Sequence, residues 1–282
     1  MSEFILDLHT HSTHSFDGKN SLKEMLEAAR ERGFLFYGAS EHYNYDLIAL
    51  DPSQQAEVGM DEPAYWHDAR HLQEDYAGVL NVLVGVEFGY TDHPLAVSVY
   101  QDAVERYQPD FIINSAHSKN GRDFYLELHN GDRKGGAYKG GRTKRELYSD
   151  YLQVVRQSLD APYPYDVVGH FGYVTRYVDF GNITMAEFGE EIDDILKTVI
   201  RKDKILELNT SNGGKTDEVG VPSAEMLRRY YELGGRKVTF GSDAHSISRL
   251  AEKWEEAKKL LNEIGFTHLT VPCRGEEIQL PL

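Results

Sequence analysis

Cysteine is almost missing: one residue, Cys273, in a chain of 282. No internal disulfide can form, and a lone thiol fits a reducing, cytoplasmic setting. Long apolar runs are missing too. The stretch Val79 to Val86 is among the longest, is interrupted by Asn81, and falls far short of the roughly 20 residues that span a bilayer. No basic region followed by an apolar stretch opens the chain, so no signal peptide is expected. Positive charge is scarce: 30 Lys and Arg stand against 46 Asp and Glu, a formal net charge of −16. Such a chain repels nucleic acid backbones, and neither a nucleic acid nor a membrane partner is expected. The densest basic stretch, Arg133 to Arg145, holds four glycines and reads as a surface loop.

What is present is enough apolar material for a sizeable core, 40% of residues, and a regular alternation of patterns. Strand-like runs at Phe4–Leu8, Phe34–Ser40, Val79–Tyr90, Phe111–His117, Tyr165–Gly172, Ile205–Ser211 and Lys237–His245 alternate with helical spacings. Leu22, Met25, Leu26 and Ala29 set the first of those, which stops at Gly33. Alternation of this kind implies a parallel sheet, and seven strands in this length suit a closed or nearly closed barrel, with an open doubly wound sheet as the rival. No linker divides the chain, so 1–282 is expected to be one domain. Ala49 to Trp66 lacks periodicity and is expected to be a long loop.

The polar residues fall at the ends of these strands. The first strand leads into His9 and His11, the second into Glu41 and His42, the third into Glu87, the fourth into His117, the fifth into His170, and the seventh into Asp243 and His245. In a parallel barrel all these ends share one face, where active sites form. His9/His11 and Asp243/His245 are i, i+2 pairs, and along a strand such side chains point the same way. Imidazole suits zinc, iron and manganese, and carboxylates suit manganese and bridge ions. One histidine after a strand is an ordinary structural residue. Six histidines and three carboxylates on six strand ends are not explained that way, because buried charge needs partners or metals. His67, His71, His129 and His268 lie in helical or loop contexts and read as surface residues.

The stretches DLHTHS, SEH, GVEFG, NSAHS, GHFGYVTRY and GSDAH resemble the motifs of the polymerase and histidinol phosphatase (PHP) superfamily, in the same order and over nearly the whole chain. Within it, VVGHFGYVTRY, ILELNTS and PSAEMLRRYYELGGRKVTFGSDAHS look like the monofunctional histidinol-phosphate phosphatases. The segment NGGKTDEVGVPS after Ser211 departs from the usual continuation. The resemblance implies an α/β fold, a distorted (β/α)7 TIM-like barrel, holding up to three divalent ions (Zn, Mn or Fe). Carried onto this chain, His9, His11, Glu87 and Asp243 would hold one ion. Glu87 would bridge to a second held by His117 and His170, and Asp17, His42 and His245 would hold a third. Glu41 would orient a ligand.

The implied reaction is hydrolysis of L-histidinol phosphate, a small phosphorylated substrate, with a hydroxide between two ions as nucleophile and Arg176 gripping the phosphate. Asp17 or His42 would pass a proton to the leaving alkoxide. Tyr43, Tyr90 and Tyr173 follow motif residues and are expected to contact the substrate ring. The alternatives are a PHP phosphoesterase for another small phosphate monoester or a nucleotide, a polymerase-type module, a barrel amidohydrolase (for which Lys119 is the one strand-end lysine), and a metal-storage protein.

Overall fold

A computed structural model describes residues 5–124, 143–178, 180–211 and 218–282. Its strands, in chain order, are β1 (Ile5–Thr10), β2 (Phe34–Tyr43), β3 (Asn81–Gly89), β4 (Ile112–Ser115), β5 (Ser118–Lys119), β6 (Arg122–Asp123), β7 (Val167–Val168), β8 (Ile205–Asn209), β9 (Val238–Gly241), β10 (His268–Cys273) and β11 (Glu276–Pro281). Seven of them form one sheet in the order β1-β2-β3-β4-β7-β8-β9, and every pairing in it is parallel. These seven match the strands expected from the sequence.

The sheet curls until its first and last strands meet. Thr10 bridges Ala244 in parallel, and the His11 amide donates to the Ala244 carbonyl at 2.9 Å. Below this, Asp7 closes the seam by accepting from the amide and hydroxyl of Ser242 at 2.9 and 2.5 Å. The result is a nearly closed seven-stranded barrel. Its interior is packed: a Cβ at Gly85 would lie 2.4 Å from the Phe111 ring, so the missing side chain makes room for the aromatic.

Helices cover the outside: α1 (Leu22–Glu31), α2 (Tyr45–Ile48), α3 (Gln55–Val58), α4 (Glu62–Asp75), α5 (Pro94–Tyr107), α6 (Lys144–Ser158), α7 (Met185–Arg201), α8 (Ala224–Glu232) and α9 (Trp254–Ile264). Ser21 and Glu24 cap α1 reciprocally. α7 buries Ile192, Ile195, Leu196 and Val199 against the barrel, each contributing on the order of 2 kcal/mol.

Two expectations are corrected. The stretch 49–66 is not a long loop. It holds α3 and the start of α4, where the Asp61 side chain accepts from Ala64 N and Pro63 occupies the first turn. α5 had no counterpart in the sequence reading. Its buried residues are Ala96, Tyr100 and Ala103, while Leu95 is exposed, a narrow stripe of mostly small residues with little apolar contrast. Most of the basic stretch Arg133–Arg145 and residues 212–217 lie outside the described residues. Among the described residues no helix is long and apolar enough to cross a membrane.

Candidate metal centre

The strand ends bring the expected residues together around Glu87, at the C-terminal mouth of the barrel. Glu87 Oε1 lies 3.4 Å from His9 Nε2, 3.1 Å from His117 Nε2 and 2.8 Å from His170 Nε2. Its Oε2 lies 2.7 Å from His42 Nδ1 and 3.8 Å from His11 Nε2. Asp243 Oδ1 lies 3.3 Å from His11 Nε2 and 3.8 Å from His9 Nε2. Toward solvent, His245 Nε2 lies 3.1 Å from Asp17 Oδ2 and 3.4 Å from His42 Nε2, and Asp17 Oδ1 lies 3.7 Å from His42 Nε2.

Burial grades across the site. His9, His11, Glu87 and His170 are inaccessible, whereas the Asp17 side chain is 39% exposed. The backbone aims these groups. A register shift between Asp7 and Thr10 interrupts the β1–β2 ladder where His9 enters the site, the usual effect of a bulge near a functional residue. Asp243 sits at φ 54°, a left-handed conformation that Asp tolerates better than most residues and that the surrounding structure must hold in place.

Three residues orient the imidazoles. His9 Nδ1 donates to Glu207 Oε1 at 2.6 Å, which leaves Nε2 facing Glu87 and Asp243. His245 Nδ1 donates to the Asp243 carbonyl at 2.9 Å. Glu41 accepts from Ser15 Oγ at 2.6 Å, and Ser15 Oγ lies 3.4 Å from His11 Nδ1, so Glu41 reaches His11 through Ser15.

Electrostatics follow from crowding. Burial opposes ionisation of Glu87, but His117, His9 and His42 outweigh it and hold the carboxyl well below its usual range. Burial likewise opposes the charge on Asp243, and His9 and Arg176 overcome it. Burial, then His42 and His245, push His11 far down, toward the neutral imidazole that ligates metals. Burial disfavours protonated His42, yet Glu87 and Asp17 raise it to about 9.

These residues fit a metal. Bonds of about 2.1 Å to N and O ligands at tetrahedral angles place ligand atoms roughly 3.4 Å apart, which is the range measured here. His9 Nε2 and His11 Nε2 are buried with no hydrogen-bond partner among the described residues, and orphaned buried nitrogens of this kind are explained by an ion. Three sets have ligand atoms within 4.8 Å of one another: His11, His42 and His245; His9, Glu87 and His170; His9, His11 and Asp243.

A cavity of about 440 Å³ opens over the cluster, and Arg176, Tyr173, Tyr177 and Asp123 form part of its wall. Arg176 is buried. Its Nη1 donates to Asp243 Oδ2 at 2.8 Å and its Nη2 to Asn209 Oδ1 at 2.6 Å, while Nε has no partner among the described residues. Phe16, Lys19 and Arg249 border the same cavity, and the sequence reading had not singled them out. Nor had it singled out Glu207 or Asn209, although both stand at i, i+2 on the end of the sixth strand, the spacing that drew attention to His9 and His11.

Two of the three tyrosines expected at the substrate lie off the cavity wall. Tyr43 is buried, its hydroxyl accepts from Trp66 Nε1 at 2.7 Å and donates to Glu62 at 3.3 Å, and it is not part of the cavity wall. Tyr90 is not part of it either; it continues β3 and bonds Ser115 through its amide. Tyr173 does line the cavity. Lys119 pairs with Asp150 at 2.6 Å and is not part of the cavity wall.

Fold and site together define a barrel protein with a histidine–carboxylate cluster that fits a metal at its C-terminal mouth. The chain belongs to the PHP domain family, whose model matches residues 7–211. It is similar to a probable histidinol-phosphatase of Clostridium acetobutylicum, at 27% identity over 91% of this chain and 92% of that protein. It is similar to the histidinol-phosphatase of Lactococcus lactis, at 26% identity over 94% and 93%. Among solved structures, histidinol phosphate phosphatase from Lactococcus lactis, complexed with zinc, L-histidinol and phosphate, superposes with a TM-score of 0.78 at 23% identity, covering 97% of this chain and 98% of that one.

Proposed function

We propose that this chain, as one unit spanning 1–282, hydrolyses L-histidinol phosphate to L-histidinol and inorganic phosphate with the help of up to three divalent ions, zinc, manganese or iron. The observation that carries this reading is a buried arginine, Arg176, lining the same cavity as a nest of imidazoles and carboxylates centred on Glu87. Relatives named as histidinol-phosphatases along nearly the whole chain support the substrate. A cytoplasmic setting belongs to the same proposal, supported by the lone cysteine.

His9, His11, Glu87 and Asp243 would hold one ion, Glu87, His117 and His170 a second, and Asp17, His42 and His245 a third. Bound there, such ions supply positive charge for a dianionic ester and acidify water near neutral pH. The remaining work belongs to the chain. Arg176, fixed by Asp243 and Asn209, lines the cavity, and its guanidinium charge would bind a phosphate oxygen there and orient the ester. Asp17 and His42 stand on the solvent side of the cluster, where a proton reaches the departing alkoxide. Tyr173 places an aromatic face on the cavity wall for the substrate ring.

The test is phosphate release from L-histidinol phosphate by protein loaded with Zn²⁺ or Mn²⁺, beside nucleotide and sugar phosphates. Turnover confined to histidinol phosphate is expected. Stronger turnover of another ester would keep the metal chemistry and replace the substrate.

A further inference from the structure

Behind the cluster, on β8, two side chains join its halves. Asn209 Oδ1 accepts from Arg176 Nη2 at 2.6 Å and from the Ser211 amide at 3.0 Å. With its oxygen committed to two donors, the amide nitrogen must face the other way, and Nδ2 donates to Glu207 Oε1 at 3.1 Å. The same Oε1 accepts from His9 Nδ1 at 2.6 Å. Glu207 Oε2 accepts from the His170 backbone amide at 2.6 Å. Asn209, Glu207 and His9 are all essentially inaccessible to solvent. β9 closes over them without a side chain in the way: a Cβ at Gly241 would lie 2.1 Å from Glu207 Oε1 and 2.4 Å from His9 Cβ. Neither carboxylate oxygen of Glu207 reaches toward the cavity, and Glu207 is absent from the candidate ligand sets.

We propose that Glu207 and Asn209 are positioning residues that form a bridge between the anion grip of Arg176 and the ion pocket at His9, so that each end sets the geometry of the other. The inference rests on the ion and phosphate roles given above. A satisfied chain of buried hydrogen bonds has one low-energy arrangement. Loosening Arg176 therefore frees Asn209, which frees Glu207, which lets the His9 ring turn. Residues that orient a metal's histidines typically change ion affinity 10- to 100-fold when altered. Coupling between two sites is reciprocal, so the effect must also run the other way.

The experiment looks for effects at the far end of the bridge. Zinc affinity is measured by competition with a chromophoric chelator, without phosphate. Inorganic phosphate affinity is measured by calorimetry at saturating zinc. The full chain is used as wild type, Asn209→Ala and Glu207→Gln. Asn209→Ala removes an acceptor from Arg176 and is expected to weaken zinc about tenfold, although Asn209 offers the ion no ligand. Glu207→Gln acts beside His9 and is expected to weaken phosphate about tenfold, although Glu207 does not touch Arg176. Both distant effects are required, because Asn209 Nδ2 also lies 3.4 Å from His9 Nδ1 and Arg176 reaches the ion pocket through Asp243 as well. Zinc loss in Asn209→Ala without phosphate loss in Glu207→Gln overturns the bridge, and Glu207→Asp stands in if Glu207→Gln fails to fold. Changes confined to the near end, phosphate alone for Asn209→Ala and zinc alone for Glu207→Gln, overturn it while leaving the proposed function standing. A wild-type chain that binds neither zinc nor phosphate overturns both.

Discussion

Arg176 is held by two acceptors and lies with its Cζ 5.3 Å from the centre of the Tyr173 ring. A lysine cannot reproduce that fork. Arg176→Lys is expected to lower kcat/KM for histidinol phosphate about 30-fold, the equivalent of one charge-assisted hydrogen bond at about 2 kcal/mol. Steady-state kinetics decide; a loss under about threefold would remove the grip from Arg176. Tyr43→Phe is expected to leave KM unchanged and to cost about 1 kcal/mol of stability, because Trp66 Nε1 loses its buried acceptor. A raised KM would return Tyr43 to the substrate. Why the sequence misled here is plain from strand geometry. His42 faces the cluster, so Tyr43, one residue on, projects from the opposite face of β2. The clustered histidines and carboxylates were legible because all but Asp17 fall at or just beyond the end of a strand of marked apolar pattern. Glu207 was not, since a carboxylate that binds only protein donors differs in no local respect from one that binds an ion.

Among the elements, the strands were readable and the helices less so. β-branched and aliphatic runs mark β3 and β8 unmistakably, whereas α5 packs through Ala96, Tyr100 and Ala103 and owes its place to the strands on either side. At the opposite end of the barrel from the cluster, Asp110 ties several elements together. It accepts from Arg70 on α4 at 2.8 Å, from Arg274 at 2.7 Å and from the Val84 amide of β3 at 2.8 Å. Burial opposes its charge, but those donors prevail and hold the carboxyl below its ordinary range. The group's pKa is thus lower folded than unfolded. Its contribution is full above the unfolded value near 4 and fades as pH falls toward the folded one. Asp110→Asn should therefore cost about 2 kcal/mol at pH 7, and the gap to wild type should narrow below about pH 4. Urea titrations of chelator-treated protein across that range test this; a gap independent of pH would show that the charge of Asp110 is not what matters.

For the molecule as a whole, an ion at the cluster binds the folded state alone, because the ligands come from strands remote in sequence. At 100 times its Kd such an ion adds about 2.7 kcal/mol, or roughly 5 °C or more in Tm for a chain of this size. A chelator should lower Tm by that amount and added zinc should restore it, as scanning calorimetry can record. An unchanged Tm would argue against ions at the cluster. The barrel architecture was legible because strand and helix patterns alternate with little interruption. Closure was expected from seven strands in this length; the residues that fasten the seam were not, since nothing local around β1 or β9 marks Asp7 and Ser242.

That seam has a consequence in time. Asp7 and Ser242, which fasten the seam, are 235 residues apart. At translation rates of 5–20 residues per second, roughly ten to fifty seconds separate the emergence of the two strands from the ribosome. Within the set His9 and His11 are made first, and Asp243 and His245 last. Until β9 is made the pocket lacks Asp243 and His245, and a copy cut short before β9 should lose the ion positions that use them while keeping Glu87, His117 and His170 for the second.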